Sequence, residues 1–132
     1  MSNLPTPLTA LALDLLEGRN LAHLATSNSN GTIQVTPVWI AVEDGRPVFN
    51  TAEGRHKWRN ILREPRVTIE VTDSANPFRY VEIRGRAEIQ LDGAAEHIEL
   101  LAAKYTGAPF KGFEPGIRRV KVYVTPTRVL EH

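Results

Sequence analysis

The chain has 132 residues, 42% of them hydrophobic and 23% charged, with a formal net charge of +1. That length suits one domain, 1–132, with one core, and the charge provides no overall field for nucleic acid or an acidic membrane. Cysteine is absent, which excludes disulfides, thiolate metal sites and a Cys nucleophile.

In chain order, Thr9 to Leu16 reads as a helix whose apolar face is Leu8, Leu11, Ala12, Leu15 and Leu16, with Thr6 before Pro7 as its cap and Gly18 as its end. Asn20 to Thr26 is strand-like, and the polar loop Ser27–Gly31 after it predicts a hairpin. Ile33 to Val42 extends with an alternation that breaks near Pro37, so the proline belongs at an edge or a bulge. Glu43 to Arg46 turns the chain, and Pro47 to Thr51 forms the next strand.

Asn50 to Arg66 then breaks a local rule. Arg55, His56, Lys57 and Arg59 crowd the first turns of a short helix, with only Glu53 just ahead to balance them. A helix start already carries partial positive charge and free N–H groups, so acidic residues normally sit there. Five of the 16 Lys and Arg residues fall between Arg55 and Arg66, so the basicity is local. Two readings stand. The cations form a solvated face while Trp58, Ile61 and Leu62 face the core, or they seat an anion such as phosphate.

Arg66 to Asp73 alternates cleanly, as does Tyr80 to Leu91, where Gly85 allows a bend. Ala94 to Tyr105 has helical spacing through Ile98, Leu101, Ala102 and Tyr105, Lys111 to Gly116 is a loop, and Arg119 to Val129 is a final strand. Six strands joined mainly by hairpins predict a mainly β, antiparallel sheet that closes into a barrel, because closure removes exposed edges.

The histidines (His23, His56, His97, His132) show no metal-ligand spacing, and the serines (Ser2, Ser27, Ser29, Ser74) sit at the terminus or in loops without a nucleophile elbow. Hydrolysis by metal or nucleophile has little support, and if the chain is an enzyme a bound cofactor is expected to supply the chemistry. His23 reads as a satisfied core or edge histidine, and Trp39, Phe78 and Tyr80 as packing residues. No apolar run approaches the roughly 20 residues that span a bilayer, and the start lacks a basic secretory opening. A cytoplasmic protein with no membrane partner is the expectation.

The segments HLATSNSNGTIQVTPVWI (23–40), NTAEGRHKWRNILREPRVTIEVTD (50–73) and YVEIRGRAEI (80–89) resemble the pyridoxamine 5'-phosphate oxidase-like split-barrel superfamily. More narrowly, they resemble its F420-dependent oxidoreductases, with coverage from Leu13 to Val129. The resemblance implies a six-stranded antiparallel split β-barrel of Greek-key type, FMN-binding split-barrel-like. It also implies a homodimer with a flat tricyclic ring at the subunit interface. By position, Arg55 and Lys57 match the phosphate-binding pair, with Asn50 and Thr51 beside them. Gln34, Thr36, Pro37 and Val38 match the ring-lining strand, and Phe78 and Tyr80 an aromatic segment contributed by the partner subunit. The cofactor implied is coenzyme F420 first and FMN second, with hydride passing to a small, conjugated or quinone-like acceptor. No catalytic side chain is implied. The alternatives are an FMN oxidase or reductase of the same fold, and a non-catalytic cofactor-binding or nucleic-acid-contacting module. The net charge and the placement of aromatics argue against nucleic acid. The loop Gly107–Gly116, with Phe110 and Phe113, reads as a packed loop or as part of an acceptor pocket.

Overall fold

The computed structural model describes residues 5–131; Ser2 and His132 lie outside the described residues. Its elements are α1 (Ala10–Glu17), β1 (Ala22–Ser27), β2 (Ile33–Val38), β3 (Ile40–Glu43), β4 (Arg46–Ala52), α2 (His56–Arg63), β5 (Arg66–Asp73), β6 (Asn76–Gln90), α3 (Ala94–Thr106) and β7 (Arg119–Glu131). All seven strands form one antiparallel sheet in the order β2-β1-β5-β6-β7-β4-β3.

The strand count is seven rather than six, because the stretch from Ile33 to Val42 is two strands. Pro37 sits within β2, paired with His23, and the interruption falls at Trp39. β2 and β3 are the two ends of the strand order, so one residue joins the margins of the curled sheet. The backbone at this seam is satisfied from outside the ladder. Ile40 N–H donates to the Tyr105 hydroxyl at 3.3 Å, and Ile40 C=O accepts from Lys104 Nζ at 2.6 Å. An unpaired buried backbone group carries a penalty, and α3 removes it here.

The interior follows the period-two pattern. Leu24, Val38, Ile40, Phe49, Val67, Ile69, Val71, Val81, Ile83, Val120, Val122 and Val124 face inward, and Ala12, Leu15 and Leu16 of α1 pack among them. Thr9, rather than Thr6, caps α1 by accepting from Ala12 N–H at 3.1 Å. Thr6 instead anchors the segment ahead of the helix, its hydroxyl donating to Thr127 O at 2.9 Å. Gly85 is required by space as well as by the bend: a Cβ there would lie 2.4 Å from Thr125 O, where the β6–β7 register shifts. No helix among the described residues is long and apolar enough to cross a membrane.

A half-buried cleft with three cations

Strand β4 is buried on both faces. Phe49 and Thr51 point into the barrel opposite Val122 and Val120, while Val48, Asn50 and Ala52 point outward opposite Tyr123, Lys121 and Arg119. Helix α3 covers that outer face with Ala94, His97, Ile98 and Leu101. Beyond Ala52 the chain turns at Gly54, whose φ of 89° favours glycine, and enters α2. Arg55 occupies the cap position without a capping side chain, and the first turn holds no acid. The cationic start read from the sequence is therefore real.

These elements enclose a cleft of about 320 Å3. Pro37, Val38 and Trp39 form one wall, Phe110 and α3 another, and Asn50, Arg55, Lys57 and Arg119 the polar side. Trp39 is fixed by stacking on Tyr105 (5.6 Å between centroids, 6° between planes) and by an edge contact with Phe110 at 6.5 Å. Arg119 lies over the Phe110 ring at 5.0 Å, and Phe113 meets Phe110 edge-on at 5.0 Å.

No acidic side chain lines this cleft, and the one carboxylate that acts on Arg119, Glu114, does so without an ion pair. Among the described residues, Arg55, Lys57 and Arg119 form no ion pair. Burial holds the Lys57 ammonium below its ordinary pKa, and the positive charges of Arg55 and Arg119 push it further down. Arg119 is shifted the same way, chiefly by burial and then by Arg55. Burial disfavours the charged state and like charges add to the effect, so a bound anion relieves both at once.

Of the residues expected at the site, Pro37, Val38, Asn50, Arg55 and Lys57 line this one cleft. Thr51 is turned to the barrel interior, since neighbours on a strand face opposite ways. Gln34 accepts from Thr26 Oγ1 at 3.5 Å, and Thr36 Oγ1 is buried without a hydrogen-bond partner among the described residues. Phe78 is 87% exposed rather than packed within its own chain. Tyr80 is half-buried on β6. His23 is satisfied, bonding Glu70 through Nδ1 at 2.9 Å, but it is exposed on the inner strand β1 rather than in the core or on an edge strand.

The helix also sorts its charges. His56 leans to the β1–β2 loop, with Nε2 at 2.7 Å from Asn28 Oδ1. Leu62 is exposed, and the buried position beside Ile61 is taken by Asn60, which donates to Thr26 Oγ1 at 3.0 Å and Asn28 Oδ1 at 2.9 Å. Arg119 was not singled out in the sequence. The outward register opposite Ala52 was the signal available, and it needed the β4–β7 pairing to be seen. Among the described residues no cluster of His, Asp or Glu could hold a metal ion.

Comparison with known proteins gives the family and the fold. The chain matches the pyridoxamine 5'-phosphate oxidase family over residues 8–132. Among solved structures it is similar to an F420 reductase, with 35% identity, a TM-score of 0.80, and 89% of this chain and 94% of that one covered. A conserved hypothetical protein from Mycobacterium tuberculosis (24% identity, TM-score 0.77, 96% and 85% covered) shares the fold. So does General Stress Protein 26 from Bacillus anthracis (16%, 0.68, 89% and 88%). No curated protein matches the chain.

Proposed function

The chain belongs to the pyridoxamine 5'-phosphate oxidase family, and on that premise we propose that it is a cytoplasmic oxidoreductase that binds coenzyme F420. In this reading it passes a hydride from the reduced deazaflavin to a small conjugated or quinone-like acceptor. The observation that carries it is the cleft where Arg55, Lys57 and Arg119 converge without an acid. Three cations without ion pairs beside an uncapped helix start suit a phosphodiester. The similarity to an F420 reductase at 35% identity supports F420 over FMN.

The residues present fit such a group. When bound, the cofactor supplies the hydride chemistry. The chain's own contribution is to bind and orient. Arg55, Lys57 and Arg119 hold the phosphate, while Pro37, Val38 and the stacked Trp39 give a flat apolar wall at the other side of the cleft. β2 pairs on one side only, with β1, which leaves main-chain polar groups of that edge for a heteroaromatic ring. Rate would come from positioning the ring against the acceptor and excluding water, with no side chain required as acid or base.

A cleft of about 320 Å3 is at the small end for a ligand site, which commonly runs about 300–1,000 Å3. We therefore assign the remainder of the cofactor to a second copy of the chain in a homodimer. Phe78, exposed on β6 away from this cleft, would be one of the residues reaching the partner's site, with Tyr80 beside it.

Titration of the purified protein with F420 and with FMN tests the reading. F420 is expected to quench tryptophan emission, because Trp39 lines the cleft, with micromolar affinity. Tighter binding of FMN would move the assignment to a flavin enzyme of the same fold. Binding of neither molecule below the millimolar range would end it.

A further inference from the structure

The third cation of the cleft is held differently from the other two. Arg119 Nε donates to Asn50 Oδ1 at 2.8 Å. The same amide's Nδ2 donates to Ala94 O at 2.9 Å and approaches His97 Nδ1 at 3.0 Å. Every hydrogen-bonding direction of the amide nitrogen is thus engaged, and the orientation of the amide is decided. The reversed orientation would set Oδ1 against the Ala94 carbonyl and an N–H against the guanidinium N–H, two repulsive pairs in place of two bonds. For Nδ1 of His97 to accept, its ring must be neutral with the proton on Nε2, which is buried and unpartnered among the described residues.

We propose that Asn50 and His97 are positioning residues that fix the Arg119 guanidinium for an anion, rather than ligands of it. The proposal rests on the reading that the cleft takes a phosphate. A neutral amide is the right group for this task. It holds Nε at a set angle while leaving the positive charge unspent, whereas a carboxylate at the same place would neutralise the guanidinium. Phe110 covers one face of the guanidinium. The Nη groups make no hydrogen bond among the described residues, so they remain available to the cleft. The arrangement draws one residue from each of three elements: Asn50 from β4, His97 from α3 and Arg119 from β7.

The charged groups around His97 favour its neutral form on balance. Lys121 and Arg119 of β7 oppose protonation, Glu43 of β3 favours it, and burial opposes it most strongly. Lys121 and Glu43 are themselves paired at 2.9 Å, which mutes both.

The test has two arms on the full chain. In the first, the side-chain Nε–H of arginine is observed by 15N NMR at neutral pH without ligand. A slowly exchanging Arg119 signal, identified by its loss in Arg119→Lys, is expected. It should lose protection in Asn50→Leu and His97→Leu, and keep it in His97→Asn, whose Oδ1 can take the place of Nδ1. In the second, dissociation constants for F420 and for inorganic pyrophosphate are compared in a double-mutant cycle. Arg119→Gln and Asn50→Leu are each expected to weaken binding about tenfold, and the double variant no further than Arg119→Gln alone. Losses that multiply, or a wild-type Nε–H that exchanges as fast as in Asn50→Leu, would overturn the proposal. If Asn50→Leu does not fold, His97→Leu reads the same arrangement with Asn50 and Arg119 both in place. A protected signal and non-additive pyrophosphate losses in a protein that binds neither F420 nor FMN would sink the proposed function and leave the positioning role standing. Cofactor binding without a protected signal would do the reverse.

Discussion

Two basic clefts on the barrel behave as opposites. One is the site described above. The other, larger at about 420 Å3, lies over β5 and β6 and is lined by Arg66, Arg84 and Arg86. In the larger cleft Arg66 bonds Glu64 through Nε at 2.9 Å, and Arg84 Nε bonds Glu82 at 2.7 Å. All three arginines are exposed. In the smaller cleft none of the three cations forms an ion pair among the described residues, and while Arg55 is exposed, Lys57 and Arg119 are half-buried. Counting cations does not separate the two, at three each, and volume would choose the wrong one. Cost separates them: a paired, hydrated arginine asks nothing of its surroundings, whereas a desolvated, unbalanced one is kept only where something else benefits.

That contrast can be broken most directly by mutation. The double change Arg55→Ala with Lys57→Ala is expected to weaken F420 binding by more than a hundredfold, about 3 kcal/mol or more. Arg84→Ala with Arg86→Ala should move the same titration less than twofold. Equal losses from the two pairs would erase the distinction.

Acid sharpens it next. Burial pulls the His97 imidazole down to about 4 from an ordinary 6.5. The unfolded chain takes up its proton first as pH falls, so this stabilisation is complete above pH 6.5 and lost by about pH 4. It amounts to about 3 kcal/mol. Urea melts of wild type and His97→Asn across that window should differ in slope, with the wild type the steeper. Parallel curves would mean that the imidazole is not held neutral. In the larger cleft the Glu64 carboxylate is held below its usual range, first by its hydrogen bonds to Arg66, so its contribution fades only at more acidic pH.

Gly85, on the floor of the larger cleft, gives the third test. Gly85→Ala drives a methyl against the Thr125 carbonyl and should cost about 1–3 kcal/mol of stability, read as a lower urea midpoint, with cofactor affinity unchanged. The smallest effect has the opposite sign. Lys57→Met should raise the stability of the ligand-free protein by about 0.5–1 kcal/mol, while Arg86→Met stays within about 0.5 kcal/mol. A destabilised Lys57→Met protein would show that the lysine is tolerated for structural reasons.

The sequence disclosed the strands that alternate and hid what depends on pairing. β5 appeared with its limits at Arg66 and Asp73, because one face is buried and the other wet. The cationic start of α2 was equally plain, since a helix end and its charges are local. The division of β2 from β3 was displaced by two residues, because a proline announces itself and a tryptophan hinge does not. Asn60 took a buried place expected of a leucine because its partners, Thr26 and Asn28, come from another strand and loop. Arg119, Asn50 and His97 lie far apart in the chain. Only the register of β4 on β7, with α3 laid across both, brings them together.

The seam at Trp39 has a consequence for what this chain can become. Val38 and Ile40 both face inward, so a single linking residue preserves odd-and-even order across the join and throws the indole outward, where Tyr105 catches it. Adding or deleting one residue there would not lengthen or shorten a loop. It would turn β3 inside out, exposing Ile40 and Val42 and pulling Ala41 and Glu43 toward the oily interior. Homologous chains of this architecture should therefore tolerate length changes almost anywhere sooner than at this join, and a one-residue insertion after Trp39 that still unfolds cooperatively in urea would refute the parity argument.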